Sequence, residues 1–439
     1  MSHNENLIAA IDIGTTKVVA IIGKRKENGR IEILGISKTP STGIKRGVVQ
    51  NIDETVNAIT RTMEEVQTYS GAIFSDVFVG IAGQHIKTIR NRGYINRNSY
   101  EDEITRKDID DLIKEMYNIS IDVGEEIIHV LPQNFIVDNE TGIKNPVGML
   151  GRRVEANFHI VIGQITSARN IGKCISKAGL KLNELILEPL ASSAAVLTAD
   201  EKEAGVALVD IGGGTTDVAV YYDDIIRHTA VIPFGGDVVT KDIKEGCSIL
   251  QRQAELLKIQ YGSALGDIAR EDEVVSIPGI SGREPKEISL KSLAYIIQSR
   301  MEEILNAVLY EIENSGYYER LSAGIVVTGG GALLKDLPQL VKFITGMDVR
   351  LGYPSELLAS ESVDDVNNPM FSTSVGLILK GWEFLEQHSN EYEGNEENTE
   401  ENTEETEDEE DQSEIQNRGF IGRLKQAFND IFEENDAEM

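Results

Sequence analysis

Two short stretches of this sequence combine an aspartate with glycines and hydroxyl residues in an order that suits phosphate binding. The first stretch reads DIGTTK from Asp12 to Lys17, and the second reads DIGGGTTD from Asp210 to Asp217. Glycine lets the backbone approach an anion closely, and successive N–H groups form a concave nest for phosphate oxygens. The aspartates could bind Mg²⁺ through water, because this cation keeps much of its hydration shell. The pair therefore predicts a polyphosphate site between two facing loops.

The elements around the two stretches repeat in the same order. We predict three successive strands in each case, at Leu7–Ile13, Val18–Lys24 and Ile31–Thr39, and again at 205–210, 218–222 and 225–232. A unit that recurs with matching flanks favours duplicated halves that face each other. We therefore predict an α/β protein whose first half covers 1–83 and 164–204, and whose second half covers 205–237 and 316–385.

Two further subdomains are predicted within these halves. Residues 84–163 mix strand and helix patterns, which indicates an inserted α+β subdomain, and residues 238–315 are mostly helical. A strand at 323–328 ends in a third glycine run, Gly329-Gly330-Gly331, and Phe371–Leu385 is predicted as the last helix of the body.

The charge of the chain is concentrated at its C-terminal end. The formal net charge is -31, but 20 acidic and three basic residues follow Leu385, which leaves -14 on the rest. Residues 386–417 carry fifteen acidic residues and no Lys or Arg, so we predict a disordered linker there. Nucleic acid is not an expected partner, because its binding requires a concentrated cationic surface.

Helical periodicity returns after the linker. At 100° per residue, the apolar side chains of residues 418–432 fall within an arc of about 140°. We predict an amphipathic membrane-targeting helix, since three phenylalanines lie on its apolar face and basic residues border that face. The alternative is a helix that docks on the body or on a partner protein. The predicted lipid-facing residues are Phe420, Ile421, Leu424, Phe428, Ile431 and Phe432.

DIGTTK, DIGGGTTD and VVTGGGALL resemble the phosphate-one, phosphate-two and adenosine motifs of the actin, sugar kinase and heat-shock chaperone ATPase superfamily. The resemblance implies an actin-like fold that binds ATP with Mg²⁺, with Asp12 and Asp210 holding the hydrated metal. It assigns to the nucleotide the residues Gly14, Thr15, Thr16, Lys17, Gly212, Gly213, Gly214, Thr215, Gly236, Glu255, Lys258, Gly329, Gly330 and Gly331.

Three of the residues in this resemblance have simpler alternatives. Glu188 matches a carboxylate beside the attacking water, but it could instead cap a helix at a strand end. Glu255 and Lys258 resemble the pair that flanks ribose and adenine, but residues three apart on a helix also form surface ion pairs. Gly236 could belong only to a tight turn.

Within the superfamily, the position of the insertion resembles that in the bacterial division protein family FtsA. Only residues 40–51 separate the third strand from the next helix, which is too short for a subdomain, and the extra material falls at 84–163. The strings GVVQNID, KNPVGMLGRRVEANFHIV, LEPLASSAAVL, GGDVVTKDI and NPMFSTSVGLILKG are also similar to that family.

The FtsA resemblance implies a cell division protein that forms head-to-tail filaments on the cytoplasmic face of the inner membrane, at the septum. It would bind the C-terminal tail of FtsZ through subdomain 238–315 and help to recruit later division proteins. Arg283, Lys286 and Arg300 are candidate contacts for that tail, or parts of a solvated charged face. ATP hydrolysis would be slow. The alternatives are a small-molecule kinase or another actin-like scaffold of the same superfamily.

Overall fold

The computed structural model describes residues 7–26, 28–279, 283–354, 357–359 and 366–396. The body is built on two five-stranded sheets, the first ordered β11-β6-β1-β2-β3. Its strands are β1 (Leu7–Ile13), β2 (Lys17–Arg25), β3 (Ile31–Pro40), β6 (Asp76–Ile81) and β11 (Lys181–Leu187). β1, β2 and β3 are antiparallel neighbours, whereas β6 runs parallel to both β1 and β11.

The second sheet repeats this arrangement in the order β14-β13-β12-β17-β18. Its strands are β12 (Val206–Ile211), β13 (Thr216–Tyr222), β14 (Ile225–Ile232), β17 (Ile325–Thr328) and β18 (Val349–Leu351). Again three antiparallel strands are followed by two parallel ones. The shared topology confirms the prediction of an α/β fold with duplicated halves.

Helices cover both sheets. They are α1 (Ile52–Ser70), α3 (Ile165–Lys177), α4 (Glu188–Val196), α5 (Ala199–Ala204), α6 (Gly236–Cys247), α7 (Gln251–Tyr261), α8 (Leu290–Asn314), α9 (Leu337–Thr345) and α10 (Ser372–Glu396). The Asn51 side chain caps α1 by accepting from the Glu54 N–H, and Gly71 ends the helix at a φ of 66°. Almost every residue of α4 is buried, because this helix packs against strands of both sheets. No described helix is long and apolar enough to cross a membrane.

The inserted subdomain has its own four-stranded sheet in the order β7-β10-β8-β9. It consists of β7 (Lys87–Asn96), α2 (Arg106–Met116), β8 (Glu125–Val137), β9 (Glu140–Ile143) and β10 (Arg153–Gln164), around a separate apolar core. It also contacts the edge strand β14 of the second half. Nε2 of His159 lies 2.9 Å from Oγ1 of Thr229 with both side chains buried, and Arg227 donates to Oδ1 of Asn134 at 2.7 Å.

Two hairpins were not predicted from the sequence. Residues 40–51 contain a small hairpin of β4 (Ile44–Lys45) and β5 (Val48–Val49). The mostly helical subdomain contains another, of β15 (Val274–Ile277) and β16 (Lys286–Ser289). Both are short, so two or four residues give little alternating pattern to detect.

The boundary predicted for the acidic linker needs correction. We expected the last helix to end at Leu385, but α10 continues to Glu396. Its first turns are held in the core, so the costly nucleation step is already made and the helix can extend into residues that would not nucleate one alone. The remainder of the linker and the predicted membrane helix at 418–432, with its six lipid-facing residues, lie outside the described residues.

Candidate nucleotide site

The two predicted phosphate loops face each other across the cleft between the halves. Asp12 and Asp210 each occupy the last position but one of the strand before the loop. A Cβ on Gly213 would collide with the side chain of Thr16, and one on Gly214 with that of Thr15. The glycines of the second loop are therefore required for this close approach, which brings both loops to one point as the sequence predicted.

Four buried or partly buried carboxyl groups interact electrostatically at this point: Asp12, Glu188, Asp210 and Asp217. Burial raises the pKa of Asp12, and the neighbouring Asp210 raises it further. Burial and the surrounding aspartates raise the pKa of Glu188 and of Asp217 well above their usual ranges. Lys17 is the cation that opposes these shifts at Asp12, Asp210 and Glu188. The cluster therefore has an excess of negative charge that a further cation would stabilise.

Asp217 shows most clearly that the residues present fit a bound cation. It lies directly opposite Asp210 in the β12–β13 pair, where like charges destabilise a sheet. Its Oδ1 atom is buried and has no hydrogen-bond partner. No group of three or more His, Cys, Asp or Glu side chains in the described part of the chain could hold a metal directly. A hydrated Mg²⁺, which reaches carboxylates through its water, suits this arrangement.

Hydroxyl groups from α4 and α10 orient the two aspartates. Asp210 Oδ2 accepts from Ser192 at 2.6 Å and from Thr373 at 3.1 Å, and Asp12 Oδ2 accepts from Ser374 at 3.3 Å. These hydrogen bonds lower the pKa of both aspartates against the effect of burial. The first turn of α10 therefore contacts the aspartates of both halves.

Lys17 and the third glycine run complete the floor of the site. The Lys17 ammonium donates to the Met370 carbonyl at 3.0 Å. A Cβ on Gly329 would collide with Oδ1 of Asp210, whereas one on Gly330 would find its nearest neighbour 4.0 Å away, at Met370. Gly331 packs on Ile211. This motif thus lies against the second phosphate loop, and its contact with adenosine stays a prediction.

The turn before α6 is hydrogen-bonded to the second phosphate loop. The Gly236 N–H donates to the Gly212 carbonyl at 2.9 Å, and the Asp237 N–H donates to the Gly213 carbonyl at 2.8 Å. A Cβ on Gly235 would lie 2.6 Å from the Gly212 oxygen and 2.8 Å from that of Thr215. Gly236 is therefore the first residue after a tight turn, and the backbone at this point is hydrogen-bonded to the second phosphate loop.

Glu255 and Lys258 form more than an isolated surface ion pair. Lys258 Nζ lies 2.8 Å from Glu255 and donates to the Gly236 carbonyl at 3.0 Å and to Thr240 at 2.8 Å. The Lys258 side chain is only 16% exposed. The pair therefore ties α7 to the start of α6, beside the phosphate loop. A contact of either residue with ribose or adenine stays a prediction.

Glu188 is the first residue of α4 but does not cap it. Leu187 occupies the cap position, and no side chain caps this helix. Glu188 instead borders a small cavity of about 10 Å³, enough for about one water molecule, which is also lined by Ile13, Ile44, Gly47, Val49, Gly80, Ala82 and Ile171. The capping alternative is therefore not supported, and a role of Glu188 toward water stays a prediction.

The predicted partner-binding residues lie apart from this site, around α6. Arg300 forms a bidentate ion pair with Asp242, in which Nη2 of Arg300 lies 3.1 Å from Oδ1 of Asp242, and it also contacts Glu303. Lys286 donates to the Cys247 carbonyl at the end of the same helix. Arg283 is exposed in the β15–β16 loop. Arg300 and Lys286 thus hold the subdomain together, which leaves Arg283 as the better candidate of the three for a partner contact.

Four residues that shape the site were not singled out from the sequence: Asp217, Ser192, Thr373 and Ser374. Asp217 ends the DIGGGTTD stretch, where its spacing of seven from Asp210 gives no sign that the two face each other in a hairpin. The hydroxyl residues stand in LEPLASSAAVL and NPMFSTSVGLILKG. Runs of small hydroxyl residues at helix starts were the available signal, although such runs also serve as helix caps.

Comparison with known proteins identifies relatives over most of the chain. A family model described as "Cell division protein FtsA" matches residues 207–376, and one described as "SHS2 domain inserted in FTSA" matches 83–162. The chain is 40% identical to the cell division protein FtsA of Pseudomonas aeruginosa, over 85% of this chain and 89% of that protein. It is 35% identical to the Escherichia coli K12 protein of the same name, over 87% of this chain and 91% of that protein.

Solved structures with low sequence identity share the fold. A chain of the PilM-PilN type IV pilus biogenesis complex matches with a TM-score of 0.60 at 14% identity, over 85% of this chain and 98% of that one. MreB5 of Spiroplasma citri, solved bound to ADP, matches with a TM-score of 0.53 at 14% identity, over 88% and 100%. At this identity the likeness extends to the actin-like architecture alone.

Proposed function

The chain belongs to the FtsA family of cell division proteins, and on that basis we propose that it binds ATP with Mg²⁺ between its halves. An actin-like fold and a role in cell division follow from the family. We further propose that it polymerises head to tail on the cytoplasmic face of the inner membrane, at the septum. There it would tether FtsZ through the FtsZ C-terminal tail and help to recruit later division proteins.

One observation carries the nucleotide proposal: two duplicated glycine loops meet, and the aspartates that precede them, Asp12 and Asp210, are buried close enough to interact electrostatically. Asp12 and Asp210 would hold a hydrated Mg²⁺, whose charge would offset that of the phosphates. Backbone N–H groups of both loops would bind phosphate oxygens. Ser192, Thr373 and Ser374 keep the aspartates in place by donating to them.

Glu188 is the proposed general base of a slow hydrolysis. The superfamily resemblance assigns its position to the carboxylate beside the attacking water, and in the structure it borders a small cavity of about 10 Å³. Burial and then the neighbouring aspartates raise the pKa of Glu188, and positive charge bound in the cleft would oppose this shift. Proton transfer to Glu188 would therefore depend on a loaded site, which is consistent with a filament protein that turns ATP over slowly.

Substitution of Asp210 tests the nucleotide proposal. Asp210→Ala removes one side of the metal site, and we expect no stable binding of Mg²⁺–ATP in a calorimetric titration. Asp122→Ala removes an exposed aspartate that pairs with Lys87 at the surface, so this control should bind as the wild type does. Wild-type affinity in a folded Asp210→Ala protein would refute the site.

Binding of the FtsZ tail is tested best at Arg283. Arg283→Glu should weaken binding of an FtsZ tail peptide by about 1–3 kcal/mol if the arginine contacts a carboxylate in a partly desolvated interface. Arg61→Glu, on the exposed face of α1, controls for the change in net charge. Equal peptide affinity for both variants and the wild type would exclude Arg283 from the interface.

The membrane proposal rests on the sequence of 418–432, outside the described residues. Phe428→Glu places a charge within the apolar arc and should release the protein from anionic liposomes in a flotation assay, with a loss of about 2 kcal/mol of burial per helix. Asn429→Glu adds the same charge on the polar face and should leave flotation intact. Flotation of the Phe428→Glu protein at the wild-type level would contradict this anchor.

A further inference from the structure

The β4–β5 hairpin ends in a turn with unusual backbone geometry. Its two tip residues, Arg46 and Gly47, have φ angles of 51° and 73°. Two-residue hairpin turns of this kind favour Asn-Gly or Asp-Gly, since a positive φ is costly for most other residues. An arginine at the first position therefore indicates that its side chain has a role that offsets the cost of the positive φ.

Backbone contacts fix the tip of the hairpin beside the first phosphate loop. The Gly47 N–H donates to Oγ1 of Thr15 at 3.3 Å. A Cβ on Gly47 would lie 2.6 Å from the Ala82 oxygen and 2.8 Å from Cα of Gly83, so the tip also packs on the chain that follows β6. Thr15 in turn lies against Gly214 of the opposite loop. Arg46 is therefore held within side-chain reach of the point where the loops meet.

The Arg46 guanidinium extends to the second half. Its Cζ atom lies 5.4 Å from the ring centroid of Phe234, the residue before Gly235 and Gly236 in the turn that supports the second phosphate loop. The ring face attracts the cation and orients it. Within the described part of the chain, Arg46 forms no ion pair with a carboxylate. Its charge is thus not neutralised by a protein group there, unlike that of Arg300.

We propose that Arg46 is a phosphate-contacting residue of the nucleotide site and recognises the terminal phosphate of ATP. The inference rests on the proposed function, since it requires that a nucleotide occupies the two loops. A guanidinium offers several N–H donors in a planar fork that matches phosphate oxygens. The floor of the site supplies Lys17, whose ammonium donates to Met370. A second cation from the hairpin would add to the positive charge that faces the phosphates.

The alternative is that Arg46 acts only as a latch, which holds the halves together through Phe234. The two roles differ in their nucleotide dependence. A latch stabilises the closed cleft with ATP and with ADP alike, so its loss weakens the binding of both nucleotides. A contact with the terminal phosphate of ATP is absent in the ADP complex, so its loss weakens ATP binding more than ADP binding.

The test compares the affinities for Mg²⁺–ATP and Mg²⁺–ADP by titration calorimetry with the full chain. Arg46→Asn removes the guanidinium but keeps a residue that tolerates this turn. We expect Arg46→Asn to weaken the binding of Mg²⁺–ATP by about tenfold or more and that of Mg²⁺–ADP by less than about threefold. Arg46→Lys should fall between Arg46→Asn and the wild type, and Lys45→Asn, at the exposed neighbour in β4, should bind both as the wild type does.

Two results would overturn the inference: unchanged ATP affinity in Arg46→Asn, or equal weakening of ATP and ADP. Both are distinguishable from failure of the proposed function. That failure would appear as a wild-type protein that binds no ATP, or as wild-type binding by Asp210→Ala.

Discussion

Asp217 should make the protein less stable without a metal and more stable with one. Its carboxylate is buried, its Oδ1 atom has no hydrogen-bond partner, and it lies opposite Asp210 in an antiparallel pair. Asp217→Asn keeps the shape of the side chain and removes the charge. We therefore expect a higher free energy of unfolding for Asp217→Asn in the presence of EDTA.

The size of the gain follows from the pairing of the two strands. Side chains directly opposite each other lie about 5 Å apart, and two unit charges at that distance repel by about 3 kcal/mol at an effective dielectric constant of about 20. Protonation relieves part of this repulsion, because burial and the neighbouring aspartates raise the pKa of Asp217. We expect a net gain of about 1–3 kcal/mol.

The gain should also depend on pH. A carboxyl group whose folded pKa is raised stabilises the protein fully below its unfolded pKa of about 4 and loses that contribution as the pH rises through the folded pKa. The stability of the metal-free wild type should thus fall as the pH rises from about 4, with a smaller fall for Asp217→Asn. Thermal unfolding in EDTA across this range measures both.

Addition of Mg²⁺ and ATP should reverse the order of stability. A ligand that binds the folded state stabilises it by an amount that grows with the logarithm of its concentration over Kd, and Asp217→Asn should bind the hydrated cation more weakly. Glu155→Gln is the matched control, since Glu155 is as buried but is paired with Arg92 and Arg153. It should be destabilised with and without ligand. A less stable Asp217→Asn protein in EDTA, or equal stabilisation of wild type and Asp217→Asn by Mg²⁺–ATP, would refute the reasoning.

Three further predictions concern other parts of the body. Burial raises the pKa of Glu184 to about 7, so its contribution to stability is lost as the pH rises through about 7, and Glu184→Gln should flatten the pH dependence of the melting temperature between about pH 5 and 8. Arg300→Glu should lower the free energy of unfolding in urea by about 1–3 kcal/mol, because it faces Asp242 with a like charge, and unchanged stability would contradict the ion pair. Lys258→Ala should weaken ATP binding in a titration, because the Gly236 carbonyl loses its partner beside the phosphate loop, and unchanged affinity would exclude this support.

The sequence predicted the duplicated halves because their signal is local and occurs twice. An apolar strand, an Asp-Ile-Gly turn and a second strand are neighbours along the chain, and the structure has these strands in matching sheets. The facing of the two loops also followed from this duplication, and in the structure each loop follows the central strand of its sheet. The helix expected directly after residues 40–51 is α1, which begins at Ile52.

The parts that could not be predicted depend on contacts between distant residues. Ser374 reaches Asp12 from 362 positions away, and no local pattern indicates which hydroxyl in a run will do so. Arg300 looked available for a partner, but its pairing with Asp242 depends on how α8 packs against α6. The turn at Arg46 was not predicted because the sequence signal for such a hairpin is Asn-Gly or Asp-Gly, and Arg-Gly does not match it.

The inserted subdomain is covalently connected to the first half of the body and packs against the second half. The chain enters it after β6 and leaves it into α3, both in the first half, whereas His159 and Asn134 bond to residues on β14 of the second half. β14 leads directly into Phe234 and Gly235 at the phosphate loop. If the two halves turn about the cleft, the subdomain must either slide on β14 and expose the buried His159–Thr229 contact or tilt on its two connections. The subdomain therefore bridges the two halves, and any rotation between them would change its orientation.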